Sequence, residues 1–258
     1  MALLTRVQKY YHRKASTLLF KKTLMVSAQR PLISFSFDDF PESASRTGGT
    51  ILRHFGLNGT YYASLGLLGK DSESGRIFGS TDLKLICEQG HELGCHTFSH
   101  CHSGNTATRI FEEAIIENRN ALRTLLPGSE FRTFAYPISC PRPLTKLRTS
   151  KYFMCCRGGG QTYNVGSTDL NNLAAFFLEK SRDAIRPVRD LIDQNRQARG
   201  WLIFATHDIS DNPTPYGCTP TFFEEVVRCA VDSGACILPV VKALEVLMGG
   251  GDHERVSA

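Results

Sequence analysis

The sequence predicts an α/β protein folded as a (β/α) barrel of seven or eight mainly parallel strands. Short β-prone runs alternate with helical segments along most of the chain, the links between them are short, and no Ser/Pro-rich linker divides the series. With 258 residues, 41% of them apolar, the chain has enough material for one large core. An unbroken series of this length favours a closed barrel over an open sheet.

The predicted strands are short apolar runs bounded by turn residues. They cover residues 32–37, 59–63, 92–95, 132–136, 152–156, 173–178, 201–206 and 236–240. The run from Trp201 to Thr206 is the clearest of them, because it is continuously apolar up to its last residue, as a strand buried on both faces would be. The order of the strands around the barrel does not follow from the sequence.

The predicted helices lie between these runs. They cover residues 43–54, 81–89, 106–126, 143–150, 181–199 and 221–233, and a further helix ends the domain. In the third of them, apolar residues recur with helical spacing at Ile110, Ala114 and Ile115, and Pro127 stops the pattern.

The sequence divides into a basic arm (1–30), a body (31–248) and a flexible tail that begins at three glycines (249–258). The arm holds seven Lys or Arg and no Asp or Glu, whereas the rest of the chain holds 23 basic and 25 acidic residues. The arm suits an anionic membrane surface or an acidic glycan, or it is a solvated helical extension over one end of the barrel. Nucleic acid is not an expected partner, because no basic and aromatic stripe continues into the body.

The location expected from the sequence is cytoplasmic, and the alternative is a protein in peripheral contact with a membrane through residues 1–30. No apolar run approaches the roughly 18 residues that a membrane span needs. Charge interrupts the amino terminus at Arg6, too early for the apolar region of a signal peptide. The oligomeric state does not follow from the sequence.

The stretch from Ser34 to Pro41 organises the site. This β-prone run ends in two adjacent carboxylates, Asp38 and Asp39. Like charges placed so close oppose each other's ionisation unless a cation lies between them, which indicates a metal. The alternative for the pair taken alone is that the two residues cap the following helix.

His96 and His100 are four residues apart, so a helical turn or a tight loop brings both imidazoles to one side. Two histidines and one carboxylate leave positions open for water and substrate, as in a catalytic zinc site. The alternative is two ordinary surface histidines. His91 and His96 resemble a metalloprotease motif, but they are one residue too far apart and Gly94 argues against a helix there.

Three further positions fit a hydrolase. His207 ends the strand that begins at Trp201, and an imidazole there can give a proton to a leaving amine; the alternative is a satisfied core histidine. Pro137 turns the chain after another strand, so the backbone N–H of Ile138 could face the cavity and act as an oxyanion donor. Arg157 precedes three glycines and is expected on a flexible active-site loop.

Taken together, these stretches resemble the polysaccharide deacetylase family, which is the NodB homology domain of carbohydrate esterase family 4. The resemblance covers residues 30–245 and rests on four motifs in the family's order. They are Phe37-Asp38-Asp39, His96-Thr97-Phe98-Ser99-His100, Phe134-Ala135-Tyr136-Pro137 and Leu202 to His207. The first two look most like those of bacterial members associated with exopolysaccharide or cell-envelope glycan synthesis.

The resemblance implies a distorted (β/α) barrel that holds one divalent metal, usually zinc, with cobalt or nickel as alternatives. By similarity, the metal ligands are Asp39, His96 and His100. The catalytic groups implied are Asp38 as general base, His207 as general acid and the Ile138 N–H as oxyanion donor. The substrate-binding residues implied are Tyr136, Pro137 and Arg157.

The sequence departs from the family pattern at three points. Ala135 stands where many members have an arginine that tunes the base, and Arg157 or Arg132 is the expected substitute. Ile138 replaces a frequent aromatic residue, which weakens substrate stacking. The acidic residue that orients the acid histidine has no clear counterpart, and the candidates for it are Asp208 and Asp169.

The function expected is metal-dependent removal of N-acetyl groups from an amino sugar in a glycan or glycolipid precursor. One alternative keeps the fold and the metal but acts on a non-sugar amide or a cyclic imide. Another is a non-catalytic glycan-binding protein whose site has decayed, although the full set of ligands and acid and base candidates counts against it.

Overall fold

The computed structural model describes residues 14–138 and 140–249, so most of the predicted tail and the first thirteen residues of the predicted arm lie outside the described residues. The strands are β1 (Thr23–Val26), β2 (Leu32–Phe37), β3 (Thr60–Ala63), β4 (Asp71–Ser72), β5 (Gly75–Arg76), β6 (Glu92–Cys95), β7 (Thr133–Ala135), β8 (Cys155–Arg157), β9 (Gly166–Asp169), β10 (Phe176–Phe177), β11 (Trp201–Thr206) and β12 (Cys236–Ile237). The helices are α1 (Gly49–His54), α2 (Ser80–Glu88), α3 (Thr108–Leu125), α4 (Pro143–Thr149), α5 (Ile185–Ala198), α6 (Pro220–Asp232) and α7 (Val240–Gly249).

Seven parallel strands form the main sheet, in the order β10-β11-β2-β3-β6-β7-β8. β2 lies at its centre, and all six of its residues are buried. On one side β2 pairs with β11 along its whole length; on the other, β12 takes its first two residues and β3 its last two. This shared edge is one source of the distortion that the family resemblance implies.

The segment before β10 bridges the two ends of the sheet. Leu173 forms a parallel bridge with Arg157 in β8, and its carbonyl accepts from the Gly158 N–H at 2.8 Å. A few residues later the same segment pairs with β11 as β10. The predicted fold, a distorted barrel of seven or eight mainly parallel strands with helices outside, is thereby confirmed.

The amino-terminal residues that are described pack on the body. β1 pairs antiparallel with β9, a pairing that the sequence did not predict. The buried Lys146 ammonium donates to the carbonyls of Ser16 and Leu19, at 2.7 and 2.9 Å, and contacts the Asp169 carboxylate at 2.5 Å. A buried cation with three oxygen partners fixes this part of the arm against α4.

Several predicted bounds agree closely with the structure. Strands β2, β6 and β11 have the predicted limits, and α4 is one residue shorter than predicted. Like β1 and β9, the hairpin of β4 and β5 lies where the sequence predicted no strand. An antiparallel bridge between Pro41 and Ile77 holds this hairpin beside the Asp38-Asp39 turn.

Candidate functional site

The predicted site residues lie at the carboxyl ends of four strands of the barrel. Asp38 and Asp39 follow β2, His96 follows β6, Ile138 follows β7 and His207 follows β11. In parallel barrels the loops at this end carry the chemistry. The backbone is also strained there, because non-glycine residues take up left-handed φ values at Asp39 (61°), His100 (52°) and Ile138 (68°).

Asp39, His96 and His100 form a cluster that fits a metal ion. One ligand atom from each lies within 4.8 Å of the others, and Asp39 Oδ1 lies 3.0 Å from His100 Nε2 and 3.5 Å from His96 Nε2. In a tetrahedral zinc site with bonds of 2.0–2.1 Å, ligand atoms lie about 3.3 Å apart. Asp39 Oδ1 is also buried without a well-oriented hydrogen-bond donor among the described residues, which is the state of a ligand atom that needs a cation.

The surroundings of the two histidines shift their pKa values in opposite directions. His96 Nδ1 donates to the carbonyl of Ala135 at 2.8 Å, so Nε2 is the nitrogen presented to Asp39. Burial lowers the pKa of His96 to about 4, which keeps the ring neutral as metal binding requires. His100 is less buried; burial would lower its pKa, but contact with the Asp39 carboxylate raises it above the ordinary value.

Ser74 supports the other oxygen of Asp39. Its hydroxyl, on the turn between β4 and β5, donates to Asp39 Oδ2 at 2.8 Å, and the side chain is buried. Burial would raise the pKa of Asp39, but the contact with His100 and the nearby His96 hold it far below its usual range. Sequence analysis missed Ser74 because a hairpin with two-residue strands gives no periodic signal.

Asp38 lies beside the cluster and pairs with a buried cation. Arg157 donates from its guanidinium to Asp38 Oδ1, and the arginine is only 2% exposed. Burial would raise the pKa of Asp38, but Arg157, followed by His96 and His207, holds it below its ordinary value. Of the two arginines expected to replace the missing family arginine, Arg157 occupies this place, whereas Arg132 pairs with Glu245 at 2.6 Å.

His207 is oriented by a backbone carbonyl. Its Nδ1 donates to the carbonyl of Tyr216 at 3.1 Å, which leaves Nε2 to carry a proton toward a substrate. The two acids considered for this role bond elsewhere: Asp208 accepts from Thr214, and Asp169 contacts Lys146.

Glu179 is another acidic residue that interacts electrostatically with His207, and sequence analysis missed it. It follows β10, its side chain is 11% exposed, and its Oε2 is buried with no hydrogen-bond partner among the described residues. Burial raises the pKa of its carboxyl above the ordinary value, and His207 partly opposes this shift. Glu179 directly follows the predicted strand 173–178, so its position at the end of a barrel strand was the signal that could have identified it.

The residues predicted to bind substrate have different surroundings. Tyr136 is buried and donates its hydroxyl to the carbonyl of Asn171 at 3.2 Å, and Pro137 is buried with its carbonyl bonded by Ser103. Arg157 lies against Asp38, as described above. Ile138 is 63% exposed at the rim of the site. Direct substrate contact by Tyr136, Pro137 and Arg157 stays a prediction, and their burial favours a supporting role.

The arrangement combines a cation-binding cluster, a carboxylate held ionised and an imidazole with one nitrogen directed by a carbonyl. Such a set suits hydrolysis, in which a water loses a proton while a leaving group gains one.

Comparison with known proteins places this geometry in a family. Residues 26–152 match the family model described as polysaccharide deacetylase. A curated relative, a gellan lyase from a Bacillus species, is 23% identical over 210 residues, which are 73% of this chain. The match spans about 8% of the length of that relative.

Solved structures share the fold. A family 4 acetyl xylan esterase from Clostridium thermocellum, solved with a cobalt ion, superposes with a TM-score of 0.60 and 18% identity, over 85% of this chain and 92% of that chain. The pseudoenzyme BA3943 of the same family, from Bacillus anthracis, gives a TM-score of 0.54 and 11% identity, over 85% and 66% of the respective chains. Since an esterase and a pseudoenzyme share the fold, the fold alone does not decide the activity.

Among the helices of the described residues, none has the length and hydrophobicity to span a membrane.

Proposed function

Since the chain belongs to the polysaccharide deacetylase family, we propose that it is a metal-dependent hydrolase that removes N-acetyl groups from an amino sugar in a glycan or glycolipid precursor. The proposal rests on one observation: two adjacent carboxylates have different contact partners. Asp39 faces the two histidines, while Asp38 faces the Arg157 guanidinium. We would not expect a site that has lost its activity to retain both the Asp39–histidine cluster and the Asp38–Arg157 pair.

The metal ligands proposed are Asp39, His96 and His100, with zinc as the first candidate and cobalt or nickel as alternatives. When bound, such a cation polarises an acyl oxygen and lowers the pKa of a water. Two features of the chain favour binding of the cation: His96 is neutral, and Asp39 Oδ2 accepts a hydrogen bond from Ser74.

The chain's own groups would then move two protons. Asp38, held ionised by Arg157, takes the proton of the water that attacks the acetyl carbon. The backbone N–H of Ile138 donates to the oxygen that becomes negative in the tetrahedral intermediate. His207 passes a proton from Nε2 to the departing nitrogen, so the products are acetate and a free amino sugar.

The surroundings of the site support a sugar substrate bound at an open rim. Ile138 and Tyr216 present exposed apolar surface there, while the reacting groups lie below it. An exposed rim suits a chain-like substrate whose neighbouring sugars remain in solvent.

Acetate release from N-acetylglucosamine oligomers tests the proposal. Metal-free protein, prepared with a chelator, should be inactive, and zinc or cobalt should restore the release of acetate. Acetylated xylan belongs in the panel because a structural neighbour is an acetyl xylan esterase, and ureide and imide substrates test the alternative of a non-sugar substrate.

Two variants separate the proposed roles. Asp38→Asn should retain one bound metal and lose turnover, whereas His96→Ala should lose both. Acetate release that survives Asp38→Asn would contradict the mechanism, and the absence of bound metal and of hydrolysis after metal addition would favour a non-catalytic binding protein.

A further inference from the structure

Two loops meet above the candidate site. One is the turn Ser72–Gly75 between β4 and β5, and the other is the loop 208–218 that follows β11. The Tyr216 hydroxyl of the loop donates to Glu73 Oε2 of the turn at 3.1 Å. This contact lies at the surface, and neither side chain ligates the metal or transfers a proton in the mechanism proposed above.

The turn is bound to the metal side of the site. Ser74 lies next to Glu73 and donates to Asp39 Oδ2 at 2.8 Å. Ser72 Oγ accepts from the Ser74 N–H at 3.1 Å and donates to the Gly75 carbonyl at 3.0 Å, so the turn has a fixed shape. A displacement of Glu73 therefore displaces the hydroxyl that holds Asp39.

The loop is bound to the proton-donating side. The Tyr216 carbonyl accepts from His207 Nδ1 at 3.1 Å. The Asp208 carboxylate accepts from the Thr214 N–H at 2.8 Å, and Gly217 packs so closely on Asp208 that a Cβ there would lie 2.3 Å from its oxygen atoms. Tyr216 thus holds His207 with its backbone and the turn with its side chain.

We propose that Tyr216 is a positioning residue whose contact with Glu73 clasps the two loops together and sets His207 relative to Asp39. The proposal rests on the function proposed above for its catalytic part. It also predicts an effect on metal binding by a side chain that touches no ligand, and this effect can be measured without turnover.

Tyr216→Phe is the first test, since it keeps the ring and the carbonyl and removes one hydroxyl. Tyr216 lies at the surface, so we expect the loss of its hydrogen bond to a charged group to have an effect of about fivefold. We expect cobalt affinity, followed by the absorption of the bound ion, to fall about fivefold. Acetate release should lose about fivefold in kcat with KM nearly unchanged, because the contact sets geometry and does not bind substrate.

Tyr152→Phe is the matched control. Tyr152 donates to Glu112 at 2.9 Å in the same kind of tyrosine–glutamate contact, but between the turn after α4 and helix α3. It should change neither cobalt affinity nor kcat.

Variants of Glu73 and Ser74 show whether the effect passes through the clasp. Glu73→Ala should match Tyr216→Phe, and the double variant should be no worse than either, because both remove one contact. Glu73→Gln keeps an acceptor oxygen and should retain most of the affinity. Ser74→Ala should weaken cobalt binding about tenfold, as removal of a group that supports a ligand does.

The outcomes are distinct. Unchanged cobalt affinity and unchanged kcat in Tyr216→Phe, or additive losses in the double variant, would overturn the clasp and leave the proposed function standing. A wild-type protein that binds cobalt but releases no acetate would overturn the function, and the cobalt affinities would still decide the clasp. A wild-type protein that binds no cobalt would overturn both.

Discussion

Two buried carboxylates at opposite ends of the barrel strands have opposite pKa shifts. Asp38 follows β2 at the carboxyl end and contacts the Arg157 cation, and its pKa is lowered. Glu92 begins β6 at the amino end and, among the described residues, accepts hydrogen bonds from three neutral donors, namely the Thr60 and Thr133 hydroxyls and the Val241 N–H. Burial raises the pKa of Glu92, and these donors do not offset it.

The comparison distinguishes a carboxylate suited to catalysis, Asp38, from one that stabilises the fold, Glu92. A cation beside Asp38 maintains the charge that a general base needs. Around Glu92, donors from β3, β7 and α7 satisfy both oxygens and join three elements at one point, at distances of 2.5–2.8 Å. Burial alone therefore does not mark a functional carboxylate; the nature of its partners does.

The most direct test of this comparison is to replace each carboxylate by its amide, which removes the charge at each end of the barrel. Asp38→Asn should lower kcat by about 10³-fold, within the range for losing a general base. Glu92→Gln should leave kcat within about threefold, because it lies at the end away from the chemistry. Both are measured by acetate release on metal-loaded protein.

The contrary outcome is equally clear. A Glu92→Gln variant that folds, retains metal and loses activity as Asp38→Asn does would show that the amino end takes part in catalysis. Metal content, determined for both variants, separates loss of the base from loss of the cation.

Arg157→Gln tests why the pKa of Asp38 is low. Without the guanidinium, the pKa of Asp38 should rise because burial is no longer offset. The base is active only when ionised, so the acid limb of the kcat/KM profile should move to higher pH and activity at acid pH should fall. Arg132→Gln is the control, because it breaks the pair with Glu245 and touches no site residue. An unmoved acid limb would show that Arg157 does not set this pKa.

Glu92→Ala tests the architectural role. It leaves two threonine hydroxyls and one backbone N–H without their acceptor, and each buried unsatisfied group costs about 1–3 kcal/mol. We expect the free energy of unfolding in urea to fall by about 3 kcal/mol. The control is Glu88→Ala on the exposed face of α2, which should stay within about 0.5 kcal/mol. Equal losses in the two variants would refute the role assigned to Glu92.

The sequence predicted the fold well where strands are long and apolar. β2, β6 and β11 follow directly from residue type, and the alternation of strand and helix gives parallel pairing. Strand order and the β1–β9 pairing depend on contacts between distant parts of the chain, and the strands of the β4–β5 hairpin are only two residues long. Such contacts leave no local periodicity in the sequence, so no reading of single segments could supply them.

The same division applies to the site. Asp39, His96 and His100 lie in two recognisable motifs, and the structure brings them together. Ser74 was missed because it lies beside strands of two residues, and the Tyr216 carbonyl because it acts through its backbone. Glu179 directly follows the predicted strand 173–178 and could have been inferred from that position. Residues that ligate or react have a type that chemistry restricts, whereas supporting contacts can come from many residue types.

The smallest expected effect concerns His91, the neighbour of Glu92. Its Nδ1 accepts from the Gly59 N–H at 2.9 Å, and burial lowers its pKa from 6.5 to about 4. The unfolded chain therefore takes up this proton first, so the stability contributed by the neutral ring is complete above pH 6.5 and is lost as the pH falls toward 4. Between pH 7 and 5 the loss from this residue should be about 2 kcal/mol.

His91→Asn isolates this contribution, because the asparagine oxygen can accept from Gly59 but does not titrate. His96 also has its pKa lowered to about 4, so both metal-free proteins should lose stability on acidification. The difference between their losses should be the contribution of His91. Between pH 7 and 5 the free energy of unfolding of the variant should therefore fall by about 2 kcal/mol less than that of the wild type. If the free energy of unfolding in urea falls by the same amount between pH 7 and 5 in the wild type and the variant, His91 is protonated in the folded protein at pH 5. The amino end would then hold a cation beside its carboxylate, as the carboxyl end does.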